Sequence, residues 1–451
     1  MHKQGQNQQL PIQEIKKANV VSPQTNIQTQ LVELWQEVLG VKVGIYDNFF
    51  ELGGDSIQAT IFFNRLQERF GGIFYIVALF EAPTIVEFEA YLHQYYPELV
   101  ARISGQSGNH KNADNRDHIQ PKQITQLQEL IRPPLPQQLA PSEKNQPACF
   151  ILSAARSGST LLRVILAGHP QLFAPPQLCL LQFNTLMERR TILTEEYRFW
   201  REGAIQALKK IKGCSTEEAQ GKMQYLEEQH LTTKAFYKLL QQALTYKLLV
   251  DKTTTYPFNL ATLQRAETNF NEPIYIHLVR HPYGAIRSFE EAKLELTLTP
   301  FIPKLKDREN FPFTRRELAE LIWFISNQNI LDFLQNVPSQ RQYFLSFESL
   351  VTQPEATVKQ LCQFLNLDFY STMLQPYTNP KQKMTEGLNS ASGMLGDLKF
   401  YQHKGINSNV VNKWHSHYSS DFLGDATWEL AQLLGYKETI EMVNEREDGE
   451  I

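Results

Sequence analysis

A polar, proline-rich segment at residues 98–147 divides the chain and limits what the chain can fold into. Its first part contains the stretch GQSGNHKNADNRDHIQPKQ, which has almost no apolar residues and cannot build a core. Its second part, IRPPLPQQLAPSEKNQP, is rich in proline, which favours extended backbone. The segment therefore predicts a semi-rigid linker between separately folded domains, and 451 residues are enough for two or three.

The hydrophobic pattern differs on the two sides of this linker. Residues 27–97 carry apolar side chains at helical spacing and predict a small all-α bundle of four helices, one of them with the capping box TIVE. Short apolar strands alternate with longer helical stretches over residues 148–440, which predicts an α/β domain around a central parallel sheet. The strands are expected at 149–153, 247–250, 274–279 and 342–347. Residues 1–26 are expected to be disordered, and residues 441–451 form an acidic tail.

The composition excludes several functional classes. The chain has 44 basic and 48 acidic residues and a net charge of -4, which gives no positive field for nucleic acid or an anionic membrane surface. The N-terminus lacks the apolar core of a signal peptide, and no apolar run is long enough to span a bilayer. The four cysteines have neither zinc-site spacing nor a disulfide pattern. We therefore expect a soluble, cytoplasmic protein without a metal site.

A serine in the first domain stands where a glycine turn meets a helix. Ser56 follows the turn LGGD in the string DNFFELGGDSIQA. Taken alone, such a serine is most often a helix N-cap. The longer string resembles the attachment motif of carrier proteins from nonribosomal peptide and polyketide synthases, and this resemblance covers residues 27–97. It implies that Ser56 carries a covalent 4′-phosphopantetheine arm, added by a phosphopantetheinyl transferase. A phosphodiester is favourably placed beside a helix N-terminus.

The second domain opens with a loop that could hold a phosphate. The stretch FILSAARSGSTLLRVILAGHP indicates a strand, a tight turn and a helix. Arg156 adds a positive charge, and a run of backbone N–H groups opens the helix, namely those of Ser157, Gly158, Ser159 and Thr160. The loop lacks the GxxxxGK[ST] pattern of a nucleoside triphosphatase. By itself it is as consistent with an ordinary strand–helix connection as with a binding loop.

A second candidate site for a phosphate lies in the stretch IYIHLVRHPYGAIRSF. Arg280 stands at the carboxyl end of a predicted strand, and Ser288 follows it by eight residues. Open parallel sheets bind their ligands at the carboxyl ends of the strands, so Arg280 and Ser288 could close on a phosphate. An arginine that caps nearby carbonyls and an ordinary surface serine remain the alternative.

Together the two stretches resemble the phosphate sites of sulfotransferases that use 3′-phosphoadenosine 5′-phosphosulfate. The resemblance covers about residues 148–440 and is nearest to sulfotransferase domains fused to carrier domains in polyketide assembly lines, including curacin-type and olefin-synthase modules. It implies an α/β, P-loop-like fold in which residues 156–160 bind the 5′-phosphosulfate. The Arg280 and Ser288 pair would then bind the 3′-phosphate.

The resemblance also implies a loop near the C-terminus that closes over the nucleotide. The candidate is YQHKGINSNVVNKW, with Lys404 and Gly405, although it departs from the better-known RKGxxGDW form. Sulfuryl transfer is an in-line displacement that needs alignment, positive charge on the bridging oxygen and a base, and it needs no metal. Arg156 is the expected partner of the leaving phosphate oxygen.

The base is the open question of this site. Related sulfotransferases often carry a glutamate in the string PPEL, whereas this chain reads PPQL, with Gln177, and an amide cannot take a proton. Asp251 and Lys252, at the carboxyl end of another strand, are the best alternative pair. Three weaker candidates, for each of which a structural role is the simpler interpretation, are His281, Asn327 and His403.

These observations predict a carrier-tethered sulfotransferase of secondary-metabolite biosynthesis. An acyl or peptidyl chain on the arm of Ser56 would present a hydroxyl to the second domain at high local concentration. Its partners would be upstream and downstream enzymes of a polyketide or nonribosomal-peptide assembly line. One alternative is a catalytically impaired sulfotransferase fold that serves as a carrier-linked binding or docking module, which Gln177 keeps open. The other is a kinase or nucleotidase, against which the missing lysine of the loop argues.

Overall fold

The computed structural model describes residues 21–70, 77–103, 118–137, 143–388, 400, 404–418 and 421–437. The chain divides into two compact units. The first is formed by Met1–Gly72 and Ala78–Asn109, and the second chiefly by His110–Ile451. Most of the N-terminal segment 1–26 and the whole acidic tail 441–451 lie outside the described residues.

The first unit is helical throughout its described elements. Its core is aromatic: Trp35 is fully buried and meets the rings of Phe49 and Phe62 edge-on. The predicted capping box is present, because the Thr84 side chain accepts from the Glu87 N–H and the Glu87 carboxylate accepts from the Thr84 N–H. The helices are α1 (Asn26–Leu39), α2 (Ser56–Phe70), α3 (Val77–Glu81), α4 (Ile85–Tyr95) and α5 (Pro97–Ile103).

The first unit continues past residue 97, where the sequence placed the start of the linker. Pro97 opens α5 instead of ending the domain, as proline readily does at the first position of a helix. Leu99 and Ile103 of α5 are buried. The Asn26 side chain donates from Nδ2 to the Ile103 carbonyl at 2.9 Å, so both ends of the unit are joined.

The second unit is built on a five-stranded, fully parallel sheet. Its strands are β1 (Ala148–Leu152), β2 (Leu172–Phe173), β3 (Leu248–Lys252), β4 (Ile274–Val279) and β5 (Gln342–Ser346), in the order β2-β3-β1-β4-β5. The four predicted strands are all present, and β2 was missed because two residues give no pattern to detect. β1 lies in the centre, so the loop that follows it emerges between the carboxyl ends of β3 and β4.

Helices cover both faces of this sheet. Successive side chains of β1 alternate between two apolar cores, with Phe150 in one and Ile151 in the other. The helices are α6 (Pro121–Leu130), α7 (Ser159–Ala167), α8 (Leu186–Ile192), α9 (Glu202–Lys212), α10 (Thr216–Glu228), α11 (Thr233–Leu244), α12 (Leu260–Asn269), α13 (Pro282–Ala292), α14 (Arg315–Leu334), α15 (Phe347–Thr352), α16 (Pro354–Phe364), α17 (Pro380–Lys383) and α18 (Asp425–Leu433).

Much of the expected linker belongs to this second unit. The helix α6 packs against α14, with Leu127 fully buried and the Gln123 amide donating to the Glu317 carboxylate at 3.2 Å. Arg132 then donates from its backbone N–H to the Phe301 carbonyl at 2.8 Å. The sequence did not reveal this because a few buried apolar residues in a polar, proline-rich stretch leave a weak periodic signal.

Candidate active site

The predicted phosphate loop runs from the end of β1 to the start of α7. Two of its residues have positive φ, Arg156 at 66° and Gly158 at 89°. A β-carbon at Gly158 would lie 2.2 Å from Phe347 Cδ2, so this position requires glycine for space as well as for conformation. The loop therefore turns sharply and directs the start of α7 towards the cleft.

A buried hydroxyl in this loop has no hydrogen-bond partner among the residues that the structure describes. Ser157 is fully buried, and its Oγ forms no hydrogen bond within the described part of the chain. A buried polar atom without a partner costs free energy unless a ligand or a water satisfies it. This hydroxyl and the unpaired N–H groups that open α7 make the loop suitable for an anion.

Arg280 joins β4 to the phosphate loop. Its Nη1 donates to the Arg156 carbonyl at 3.0 Å, and its guanidinium lies 4.4 Å from the centre of the Phe347 ring. Burial lowers the pKa of Arg280 to about 10, and the nearby Glu348 carboxylate opposes this shift. Arg280 thus remains cationic at neutral pH.

The helix α13 brings Ser288 to the same place. Ser288 Oγ accepts from Arg156 Nε at 3.0 Å. Gly284, one turn earlier on the same face, lies so close to Arg280 that a β-carbon there would be 3.0 Å from its Nε. The two predicted phosphate sites therefore adjoin, with the Arg156 side chain between them.

Lys252 lies on the other side of the phosphate loop. It ends β3, is only 2% exposed, and its Nζ donates to Thr160 Oγ1 at 3.4 Å. The strand next to β1 therefore supplies the lysine that the loop itself lacks.

Asp251 is not brought to the cleft with Lys252. Neighbouring residues of a strand point to opposite faces of the sheet. The Asp251 carboxylate accepts from the Tyr237 hydroxyl at 2.5 Å and the Tyr256 hydroxyl at 2.9 Å, in the core on one face of the sheet. Burial raises its pKa, which those hydrogen bonds oppose. The expected pairing of Asp251 with Lys252 as catalytic residues is thus not supported by their placement.

Gln177 lines the cleft in a fixed orientation. Its Oε1 accepts from the backbone N–H of Thr254 at 3.3 Å and from the Thr254 hydroxyl at 3.2 Å. Since a backbone N–H can only donate, these bonds identify the oxygen of the amide. Gln177 is 7% exposed and lines the cleft, so its side chain is held by its surroundings while part of it faces the cleft.

The C-terminal loop reaches the cleft with residues other than those expected. Lys404 is exposed, and a β-carbon added at Gly405 would meet none of the described residues within 4 Å. Neither of these two residues lines the cleft. The residues of this loop that do are Asn407, Val410, Lys413 and Trp414. The string NKW at the end of the quoted motif was the signal that could have identified the last two.

The weaker candidates occupy structural positions or are not described. His281 stacks on Trp414 with ring centres 4.5 Å apart, and burial lowers its pKa to about 4. Asn327 donates to the Trp323 carbonyl and contacts His277, within the fold. His403 lies outside the described residues.

The cleft is open to solvent, and its lining is partly basic and partly apolar. It contains about 1300 Å³ of space, its open mouth included. Its charged lining is mostly basic, and Trp200, Leu294, Tyr377 and Phe400 make part of its wall apolar. Across the residues that the structure describes, no group of three or more His, Cys, Asp or Glu could hold a metal ion. Within the same residues, no helix has the length and apolar character needed to cross a membrane.

In the first unit, Ser56 is the first residue of α2. Asp55 provides the cap: its Oδ1 accepts from the Gln58 N–H at 3.0 Å, and Gln58 Oε1 accepts from the Asp55 N–H at 2.9 Å. Gly54 packs against Phe49, where a β-carbon would be 2.5 Å from the ring. The N-cap role considered for Ser56 therefore falls to Asp55.

A parallel sheet with a sharply turned loop after its central strand, and with basic residues from both flanking strands beside that loop, is the arrangement of a P-loop-like α/β fold. A model of the sulfotransferase family matches residues 147–371, and a model of the phosphopantetheine attachment site matches residues 29–92. The chain belongs to the sulfotransferase family and carries a phosphopantetheine-attachment domain. This confirms the predicted combination of domains.

Two solved structures are similar over the second unit. The sulfotransferase domain from the curacin biosynthetic pathway is 37% identical, with a TM-score of 0.59, over 65% of this chain and 99% of that one. The sulfotransferase domain from the Synechococcus PCC 7002 olefin synthase is 34% identical, with a TM-score of 0.58, over 67% of this chain and 100% of that one.

The curated relatives match the carrier region. Surfactin synthase subunit 2 of Bacillus subtilis (strain 168) is 39% identical over 84 residues, and gramicidin S synthase 2 of Brevibacillus brevis is 41% identical over 73 residues. These matches cover 19% and 16% of this chain, and only 2% of either relative.

Proposed function

We propose that the chain transfers a sulfuryl group from 3′-phosphoadenosine 5′-phosphosulfate to a hydroxyl of an acyl or peptidyl chain. That chain is tethered to the phosphopantetheine arm of Ser56 in secondary-metabolite biosynthesis. The observation that supports the proposal is that the two stretches predicted to bind phosphates lie side by side on one cleft. Arg280 bonds the backbone of the phosphate loop, and Ser288 bonds the Arg156 side chain of that loop.

The residues present fit the donor nucleotide. The N–H groups at the start of α7 and the unpartnered Ser157 hydroxyl suit the 5′-phosphosulfate. Arg280 and Ser288 suit a 3′-phosphate, and Arg156 spans both positions. When bound, the nucleotide supplies the activated sulfuryl group.

Lys252 is the residue best placed to act on the transfer itself. Its ammonium is beside Thr160 at the start of α7 and is held in a buried position. A fixed cation there would stabilise negative charge on the oxygen that leaves the sulfur. Arg156, to which the sequence assigns the same role, donates from Nε to Ser288 Oγ, and its part in the transfer stays a prediction.

The tether is supported by the carrier region. A phosphodiester on Ser56 would lie at the N-terminus of α2, where the helix dipole favours an anion. Its assembly-line partners would load the acceptor chain and take the product onwards.

One measurement tests the whole proposal. The full chain is incubated with a phosphopantetheinyl transferase, a panel of 3-hydroxyacyl-CoA donors and the sulfate donor, and intact masses are recorded. We expect one acylated arm, then one sulfate on it. A Ser56→Ala control must show neither increment, and an arm on that variant would refute the attachment site. No sulfate on any hydroxyacyl arm would overturn the transferase assignment.

A specific observation favours the alternative of a catalytically impaired binding module. Among the described residues that line the cleft there is no histidine, and the one carboxylate is Glu291, which is paired with Arg287 at 2.8 Å. Gln177 cannot accept a proton. The alternative predicts tight binding of 3′,5′-ADP without turnover, and a large gain of activity in Gln177→Glu.

A further inference from the structure

A fully buried arginine donates to the backbone beside Gln177 and Trp200, two residues that line the cleft. Arg189 of α8 is 0% exposed. Its guanidinium donates from Nη2 to the carbonyls of Leu178 at 2.9 Å and Trp200 at 3.1 Å, and from Nε to that of Cys179 at 3.0 Å. One side chain thus satisfies three backbone acceptors from two separate segments.

These two segments carry residues that line the cleft. Leu178 directly follows Gln177, and Trp200 lines the cleft itself. The segments also touch: a β-carbon at Gly203, at the start of α9, would lie 2.0 Å from the Gln177 carbonyl oxygen. The positions of the Gln177 amide and the Trp200 ring therefore depend on the same backbone contact.

The segment after Gln177 holds an unfavourable conformation. Cys179 has φ 54°, which costs a non-glycine residue free energy and persists only where the surroundings enforce it. Its N–H donates to Thr253 Oγ1 at 3.1 Å, and its carbonyl accepts from Arg189. Removing Arg189 would take away one of the hydrogen bonds that hold the backbone of this residue.

A guanidinium is suited to this place for reasons other than ion pairing. Glu227 is near Arg189 but accepts from Arg190 at 3.1 Å. Arg189 Nη1 has no partner in the described part of the chain. Burying a charge is costly, but a planar fork with several fixed donors can satisfy three carbonyls that would otherwise be orphaned.

We propose that Arg189 is a positioning residue that fixes Gln177 and Trp200 relative to each other and so sets the geometry in which the acceptor hydroxyl is presented. Its catalytic consequence rests on the proposed sulfotransferase function. Its structural consequence does not rest on that function. The structural and the catalytic consequences can therefore be tested separately.

The structural test is thiol labelling of the full chain. Cys179 is fully buried and burial raises the pKa of its thiol to about 12, so it should react slowly with iodoacetamide. In Arg189→Met we expect Cys179 to react at least about tenfold faster, and in Arg189→Lys we expect a smaller increase. The labelling rate of each cysteine is measured by peptide mass spectrometry. Cys149 and Cys362, which are also buried, serve as internal standards and should keep their rates. If Arg189→Met does not fold, Arg189→Lys carries the test.

A control is Arg341→Met. Arg341 also donates to a backbone carbonyl, that of Pro273 at 2.7 Å, and it pairs with Glu267 at 2.8 Å. Pro273 precedes β4, at the end of this strand away from the cleft. The Arg341→Met variant should leave the labelling of Cys179 unchanged. Equal rates for Cys179 in the parent and both Arg189 variants would overturn the proposal.

The kinetic test separates an effect on the acceptor from an effect on nucleotide binding. With a 3-hydroxyacyl-pantetheine as acceptor, we expect Arg189→Lys to raise KM or lower kcat by about 10- to 100-fold, since misplacement of about 1 Å has effects of that size. Its Kd for 3′,5′-ADP should stay within about twofold of the parent, because a positioning effect is local. A parallel loss of nucleotide affinity would indicate general unfolding and contradict the proposal. If the parent shows no transfer, the proposed function fails, while the labelling and nucleotide-binding results still decide the role of Arg189.

Discussion

The guanidinium of Arg156 donates from Nε to Ser288 Oγ at 3.0 Å, although 132 residues separate them in the chain. Arg156 belongs to the loop after β1, and Ser288 to the helix after β4. The bond links the two stretches that the sequence singled out as phosphate sites. If the proposed nucleotide binds here, this bond would make the recognition of one of its phosphates depend on the residues proposed to hold the other.

Ser288→Ala should selectively weaken binding of a nucleotide that has a 3′-phosphate. The variant loses a hydroxyl that bonds both Arg156 and the proposed phosphate, so the Kd for 3′,5′-ADP should rise by about tenfold, or 1.4 kcal/mol. The Kd for 5′-AMP should change little. Calorimetric titration with both nucleotides gives the comparison, and an equal loss for the two would contradict a 3′-phosphate site at Ser288.

Lys252→Met should reduce sulfuryl transfer by about 100-fold or more at saturating substrates, because it removes a preorganised cation from the leaving group. Binding of 3′,5′-ADP should fall much less. Lys209→Met is the matched control, since Lys209 also donates to a threonine hydroxyl, Thr216 Oγ1 at 2.8 Å, but outside the cleft. Single-turnover rates measure the effect. Unchanged turnover in Lys252→Met would exclude this role.

Gly158→Ala should abolish nucleotide binding. The added methyl group meets Phe347 at 2.2 Å and also stands at φ 89°, so the loop must move. Gly213→Ala provides the control, because Gly213 has φ 60° and a β-carbon there would meet nothing within 4 Å in the described structure. It carries the backbone strain without the crowding. The thermal shift produced by 3′,5′-ADP should be lost in the first variant and kept in the second, and a full shift in Gly158→Ala would show that the close approach to Phe347 is dispensable.

Glu320 should make the stability of the second unit depend on pH. Burial raises the pKa of Glu320 to about 7, against the 4.5 of an exposed glutamate. The folded state therefore keeps a proton that the unfolded state loses, so the contribution is complete below about pH 4.5 and is lost as pH rises through about 7.

Urea unfolding at pH 5 and pH 8, followed by tryptophan fluorescence, tests this prediction. The parent should lose more stability between the two pH values than Glu320→Gln, whose amide oxygen can still accept from Gly424 and Thr427. The same pH dependence in both proteins would show that Glu320 titrates normally.

The sequence by itself determined those elements that depend on the backbone conformation of a few neighbouring residues. The turn before Ser56, the glycine in the loop after β1 and the proline that opens α13 each follow from backbone conformation over a few residues. Four of the five strands followed from apolar runs. The arginine and serine proposed for the second phosphate site followed from their position after one of these strands.

Only the tertiary structure decided which neighbours face the cleft. Strand alternation requires that Asp251 and Lys252 point to opposite faces, but which face forms the core depends on the helices that pack there. In the structure, Tyr237 of α11 donates a hydrogen bond to Asp251 in the core, and Lys252 lines the cleft. The tertiary structure also decided the role of Arg189, because folding brings its three carbonyl acceptors together. Residues 118–137 belong to the second unit because distant helices cover their few apolar side chains. Long-range packing, which no short stretch encodes, made these choices.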